Sequence, residues 1–181
     1  MTPDITYQRS TQSGFALIEV LVALLITAFG ILGYVALQGR ATVGMIEGQQ
    51  RMQALILVNE ISERISLNRR NALTYVGDDY GVTAPQADCS AAASLAARDL
   101  CEWSNLIRGA AEVEGGQQVG ALLNARGCIS SPAANEYVIH LVWQGVQPSA
   151  AALNDCGKDE YTSEDTRRAV STRVQIANLG A

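Results

Sequence analysis

The sequence predicts an α+β fold: a long N-terminal helix, membrane-spanning in its first half, packed on a small antiparallel sheet of three to four strands, with a second helix. Three patterns lead to this prediction. An apolar run lies near the N-terminus, an amphipathic helical pattern continues it, and apolar residues alternate with polar ones in the last third of the chain.

The apolar run extends from Phe15 to Leu37 and is long enough to cross a bilayer as a helix. About 20 apolar residues span the roughly 30 Å of hydrocarbon in a membrane, and this run has 23. Glu19 is its only charged residue, and Thr27 is its only other clearly polar side chain. A carboxylate in such a segment costs about 2–3 kcal/mol even on lenient scales, so Glu19 is a candidate functional residue that needs a partner.

Residues 38–70 are predicted to continue the helix as an amphipathic segment. No proline interrupts the chain between residues 4 and 84. Apolar residues recur at spacings near three, four and seven, at Met45, Met52, Leu55, Ile56, Ile61 and Ile65. The helix is predicted to end near Asn68 to Asn71, and residues 71–181 are predicted to form a head domain.

The head domain is predicted to contain one helix and three strands. A loop at 72–90 precedes a helix at about 91–111, and strands follow at 118–129, 136–143 and 170–176. One stripe of the helix carries Leu95, Asp99, Trp103, Leu106 and Ala110, with Trp103 as a packing anchor. Alternation in the second strand places one set of side chains on a single face: Tyr137, Ile139, Leu141 and Trp143. A polar loop at 145–166 separates the last two strands.

Four cysteines, Cys89, Cys101, Cys128 and Cys156, follow the apolar run. In an exported domain they are expected to form disulfides, and four cysteines allow three connectivities. We favour Cys128 with Cys156 because they bracket the 136–143 strand, which leaves Cys89 with Cys101. The second pair requires the helix to begin late, near Ala96. A helix over residues 90–101 would separate these cysteines by roughly 16–18 Å, beyond the roughly 7 Å that a disulfide can bridge.

The sequence predicts no catalytic site, no cofactor and no metal site. The single histidine, His140, lies in a predicted strand and is interpreted as a packed or half-exposed residue. The acidic residues of the 145–166 loop fit no standard calcium loop, and the cysteines lack the close pairs of a structural zinc site. The net charge of −5 argues against nucleic-acid binding that is driven by net charge.

The segment that contains Gly14, Phe15 and Glu19 resembles the N-terminus of type IV prepilins. In that family a short polar leader ends in Gly, Phe follows, and Glu is the fifth mature residue. The resemblance implies that prepilin peptidase cleaves between Gly14 and Phe15, removes residues 1–14 as a cytoplasmic leader, and N-methylates the Phe15 amine. It implies that residues 15–37 anchor the subunit in the bacterial inner membrane and later pack in a filament core. There Glu19 is expected to make an assembly contact with the methylated amine of an adjacent pilin.

Beyond the N-terminus, the resemblance points to minor pilins. It implies a head domain in the periplasm and later in the pilus filament, at its tip, as part of a complex that supports pilus assembly. The implied partners are other minor pilins, the major pilin, prepilin peptidase and the inner membrane. No nucleic acid or small-molecule ligand is expected. The alternatives are a type II secretion pseudopilin and a competence or adhesion pilin that acts as a binding module.

Overall fold

The computed structural model describes residues 15–83, 86, 88–110, 113–115, 117–118, 120 and 122–177. The chain divides into two compact units, Met1–Gly44 and Met45–Ala181. The longest element is helix α1, from Phe15 to Leu67. Residues 15–44 of α1 are the described part of the first unit, and residues 45–67 are the first element of the second unit. The proline-free sequence and the continuous run of helix-compatible apolar residues account for its length.

In the second unit, α1 contributes one face to the head-domain core. The buried residues of this face follow helical spacing: Ala54, Leu57, Val58, Ile61 and Ile65. The predicted stripe was therefore wrong in part, because four of its six residues are exposed: Met45, Met52, Leu55 and Ile56. Apolar residues lie on more than one side of α1 between residues 52 and 58, and the head domain covers only one of these sides.

The head domain follows α1 and confirms the α+β class. Its elements are a 3-10 helix at Arg69–Tyr75, β1 at Gly77–Tyr80, α2 at Leu95–Ile107, β2 at Val113–Glu114, β3 at Gln117–Gln118, β4 at Arg126–Ala133, β5 at Glu136–Gln144, a 3-10 turn at Glu164–Thr166 and β6 at Arg167–Gln175. The main sheet has the order β1-β4-β5-β6, and every neighbouring pair is antiparallel. Strands β2 and β3 form a separate pair.

Two sequence predictions in the head domain were wrong. The predicted loop at 72–90 contains β1, which pairs with β4 through Gly77 opposite Ile129. This short segment, Gly-Asp-Asp-Tyr, has no strand pattern of its own, and it is extended because β4 supplies hydrogen-bond partners. The strand predicted at 118–129 is not continuous, because Gln118 belongs to β3 and β4 begins only at Arg126. The apolar residues that suggested an earlier start, Leu122 and Ala125, are buried from a turn instead.

The alternation predicted for β5 is confirmed, since its four core-facing residues, Tyr137, Ile139, Leu141 and Trp143, are all buried. Val142 is also buried, although it points to the opposite face. There it joins a second, smaller cluster with Cys128, Cys156 and Tyr161. The long loop between β5 and β6 therefore covers part of the sheet face opposite the main core.

Helix α2 is shorter than predicted and packs through a shifted stripe. Ser94 caps its N-terminus and accepts a hydrogen bond from the Ala97 amide at 3.1 Å. Leu95 is exposed and does not belong to the buried face, which consists of Ala96, Asp99, Trp103 and Ile107. A Cβ at Gly127 would collide with the Trp103 ring, so glycine at this position allows α2 to lie close against β4.

Two disulfides tie the head domain together. Cys89 joins Cys101 with a Cα–Cα distance of 5.7 Å, and Cys128 joins Cys156 at 5.9 Å. Because α2 begins only at Leu95, the chain before it can turn back and bring Cys89 beside Cys101. The second disulfide fastens the β5–β6 loop to β4.

Removing the Cys128–Cys156 bond with the double variant Cys128→Ala and Cys156→Ala is expected to lower the free energy of unfolding by about 3.5 kcal/mol. The expected loss for the matched double variant of Cys89 and Cys101 is about 3 kcal/mol, because that bond closes a shorter loop, 12 residues apart against 28. Non-reducing peptide mapping checks the connectivity, and urea unfolding of the detergent-solubilised chain measures the loss. Crossed connectivity, or an unchanged unfolding midpoint, would contradict this expectation.

Candidate functional site

The first turns of α1 form the candidate site. Phe15 is the first residue of α1, and Gly14, the predicted residue before the cleavage point, lies outside the described residues. The first four backbone N–H groups of a helix have no partner within it, so its start attracts negative charge. Glu19 lies four residues, roughly 6 Å, further along the helix and is exposed.

Exposed apolar side chains surround Glu19 and continue along the helix. Leu17, Leu21 and Leu25 are more than half exposed, and the same holds for Phe29, Leu32 and Leu37. Thr27 adds no unpaired hydroxyl, because its Oγ1 donates to the Ala23 carbonyl oxygen at 2.7 Å. Soluble proteins rarely expose an apolar surface of this extent. The helix is long and apolar enough to cross a membrane, and no part of its most apolar window is buried.

The start of α1, where Glu19 is the only charged residue between Phe15 and Leu37, matches a known motif. Residues 9–35 match the prokaryotic N-terminal methylation motif. The motif is that of type IV prepilin-like proteins, and it includes Gly14, Phe15 and Glu19. It supports a type IV pilin-like or pseudopilin-like protein that a membrane helix anchors. No curated protein and no solved structure matches the chain.

Beyond the motif, Arg64 on the outer half of α1 connects α1 with α2. Its guanidinium contacts Glu60 at 2.7 Å, Asp99 at 3.0 Å and Glu102 at 2.6 Å. Asp99 also accepts a hydrogen bond of 2.5 Å from the hydroxyl of Tyr75. Burial of the phenol, together with this bond to a carboxylate, raises the pKa of Tyr75 to about 12. Asp99 is buried, and these two donors satisfy a carboxylate that would otherwise be costly there.

Trp103 provides a second connection between the two helices. Its side chain is completely buried, and its indole N–H donates to the backbone carbonyl oxygen of Leu57 at 2.9 Å. Its ring also packs against Tyr80 of β1 with a centroid distance of 5.5 Å. The prediction that Trp103 is a packing anchor is consistent with this environment. The ring fixes α2 against both α1 and the sheet.

Glu47 connects α1 with β6, and the sequence did not predict this contact. Its carboxylate pairs with the guanidinium of Arg168 on β6 through two contacts, at 3.1 and 3.2 Å. It also accepts the backbone N–H groups of Val146 and Gln147, each at 3.2 Å. Because 121 residues separate Glu47 from Arg168, no local pattern could have identified the pair.

The Glu47 carboxylate is expected to make stability depend on pH. The hydrogen bond from Arg168, aided by the two backbone N–H groups, holds the pKa of Glu47 below its ordinary value although burial opposes the shift. A depressed folded-state pKa contributes stability that is present above the unfolded-state pKa and is lost as pH falls through the folded-state pKa. The difference in unfolding free energy between the wild type and Glu47→Gln should therefore be largest near pH 7 and should shrink below about pH 4.5.

Urea unfolding of detergent-solubilised protein between pH 3 and 7 measures this difference. Glu63→Gln on the same helix is the matched control, because Glu63 is exposed and forms no ion pair with the residues that the structure describes. The pH-dependent role of Glu47 would be refuted if the loss of unfolding free energy in Glu47→Gln stayed constant with pH. It would also be refuted if Glu63→Gln showed the same pH-dependent loss.

The structure offers little support for catalysis at His140. The ring lies between β5 and β6 with its Nδ1 2.6 Å from the Ser171 hydroxyl, and burial lowers the pKa of His140. Within the described residues no carboxylate contacts the ring to orient it as a base, as a triad requires. The same residues contain no group of three His, Cys, Asp or Glu side chains that could hold a metal ion.

Proposed function

We propose that this protein is a minor pilin of a type IV pilus, a structural subunit of the tip or initiation complex that supports pilus assembly. The observation that carries the proposal is the methylation motif at the start of α1, where the apolar side chains are exposed and Glu19 is the only charged residue between Phe15 and Leu37. A subunit of this design is held in the inner membrane with its head domain in the periplasm. Its helix then moves from lipid into the filament, where other apolar helices replace the lipid.

One departure from major pilins favours a minor subunit. Ala36 stands where many major pilins have a helix-kinking proline. The distal sequence resembles that of the minor pilin PilV, the type IV pilus modification protein. The similar features are a Trp-bearing helix after the first cysteine, Val142–Gly145, Cys156-Gly157 and Arg167-Arg168.

The structure argues against nucleic-acid binding by the adjacent basic residues Arg167 and Arg168. Arg167 is buried, and its guanidinium binds Glu164 and the carbonyl oxygens of the β5–β6 loop. Arg168 is paired with Glu47. Neither guanidinium is available to bind phosphate, which nucleic-acid binding requires. This favours a structural subunit over a DNA-binding competence pilin.

Affinity capture of the full-length protein from membranes, followed by mass spectrometry of its partners, tests the function. We expect other minor pilins and the major pilin to be enriched over a control capture with an unrelated single-span membrane protein. Enrichment of secretion-system pseudopilins instead would assign the protein to a type II secretion system. Capture of neither group would contradict an assembly role.

A further inference from the structure

Strand β6 is an edge of the main sheet, and the hydrogen bonds at its two ends show which backbone groups point outward. The Gly145 amide donates to the Thr166 carbonyl and the Ile176 amide donates to the Asn135 carbonyl, each at 2.8 Å. In an antiparallel pair, residues that exchange hydrogen bonds alternate with residues that do not. The β5–β6 register is continuous between these two bonds. Even-numbered residues of β6 therefore bond to β5, and Ala169, Ser171, Arg173 and Gln175 direct their N–H and C=O groups away from the sheet.

These outward groups form a regular and accessible row. Within residues 122–177, a continuous part of the described chain, no backbone or side-chain hydrogen bond satisfies them. The side chains of Ser171, Arg173 and Gln175 are exposed. Residues 167–175 contain no proline. Strand β6 also has no bulge, because it pairs with β5 over nine consecutive residues.

The other edge of the sheet is built differently. Strand β1 has only four residues, its register with β4 shifts, and Asp79 has a φ of 65°. Short and irregular edges of this kind resist pairing with another chain, whereas a long regular edge accepts it. The contrast between the two edges identifies β6 as the side that can accept a further strand.

We propose that β6 is a docking edge, to which an extended segment of a different membrane-anchored pilin-like subunit adds as a fifth strand. This inference rests on the proposed function and names the surface through which the head domain meets its neighbour. Backbone hydrogen bonds to Ala169, Ser171 and Arg173 would hold the segment, and side chains on alternate positions would select it. On the core face, the segment would extend the apolar surface of Val170 and Val174.

On the solvent face, charge selects the partner. The Arg173 side chain is 69% exposed and pairs with Glu136 at 3.1 Å. An acidic residue opposite Arg173 would be favoured there, because opposite charges on neighbouring strands attract and like charges repel. The partner strand is thus apolar on its core face and carries a carboxylate on its solvent face.

A second copy of this chain does not fit the edge. Two β6 strands can pair antiparallel only about a two-fold axis normal to the sheet. This axis would reverse residues 45–67 of α1 in one copy relative to the other. The helix ends nearest the membrane anchor would then point in opposite directions. Parallel pairing would turn one sheet over, so that the core face of one copy would continue the polar face of the other. A different subunit avoids both conflicts because it can present another strand.

The test uses the full-length protein in cells that contain the assembly system, with Ser171→Pro compared with Ser171→Ala. Proline at an edge removes one outward N–H but no bond to β5. Both variants lose the hydroxyl that contacts His140, so the comparison isolates the backbone group. We expect Ser171→Pro to reduce recovery of one pilin-like partner about ten-fold or more, while Ser171→Ala retains it.

A photo-crosslinking residue at Arg173, in the otherwise unchanged chain, identifies the occupant even if Ser171→Pro fails to fold. We expect crosslinks to one extended segment of that same partner. Crosslinks within the chain or to a second copy would overturn the proposal, as would absence of protein crosslinks or wild-type partner recovery by a folded Ser171→Pro variant. The mature N-terminus is sequenced in the same cells. An unprocessed chain refutes the proposed function, whereas a processed, assembled chain without edge crosslinks refutes only the docking edge.

Discussion

Replacing Gly14 with valine is expected to leave nearly all of the chain as an uncleaved precursor. The residue before the cleavage point must enter a protease site at the membrane surface, and a branched side chain would obstruct the backbone there. Glycine carries no side chain and leaves the backbone accessible. The wild-type chain should instead begin at Phe15 and carry a methyl group on its new amine.

Mass analysis of the N-terminus, in cells with active prepilin peptidase, measures this outcome. Ser13→Ala is the matched control, because it changes a neighbouring leader residue without adding bulk, and it should be processed normally. An intact leader on the wild-type chain, or normal cleavage of Gly14→Val, would show that Gly14 and Phe15 do not form the processing site.

Replacing Glu19 with leucine is expected to abolish co-purification with partner pilins without preventing cleavage or membrane insertion. The Glu19 carboxylate lies about one turn inside an apolar helix, where an unpaired charge is unfavourable. Removal of the leader creates an amine on every subunit, and the methylated Phe15 amine of a neighbour is a suitable partner. Desolvation offsets much of the attraction in such a pair. The pair therefore sets the axial register between otherwise similar apolar surfaces more than it adds affinity.

Two further variants separate charge from polarity. Glu19→Gln keeps the size of the side chain but removes its charge, and it should fail as Glu19→Leu does. Thr27→Val removes a polar group whose hydroxyl bonds only to its own helix, so it should assemble normally. These variants are compared in cells without a wild-type copy. Normal partner recovery and normal piliation with Glu19→Leu would rule out the assembly contact.

The features that the sequence predicted correctly depend on local patterns. The motif around Gly14, Phe15 and Glu19 is contiguous, so it can be recognised without a structure. The apolar run is recognised by its 23 consecutive residues, and β5 is recognised by its alternation with the period of a strand. Asp99 was placed on a face of the second helix, but its partners could not be inferred.

Within the described residues, the predictions that failed concern which of several apolar surfaces is covered. Ala54 and Leu57 are buried, whereas Met52 and Ile56 on the same helix are exposed. All four are compatible with a helix, and only the position of the sheet distinguishes them. Strand β1 is likewise extended because β4 lies beside it, and its own residues carry no such preference.

By itself the sequence determined a helix apolar enough to cross a membrane, the N-terminal methylation motif and the α+β class, because each follows from residues close together in the chain. Only the tertiary structure decided that Glu47 meets Arg168, that Arg167 is buried beneath the β5–β6 loop, and that β6 lies at an edge of the main sheet. These features join segments far apart in sequence. Their energies come from burial and hydrogen-bond partners that exist only once the chain has folded.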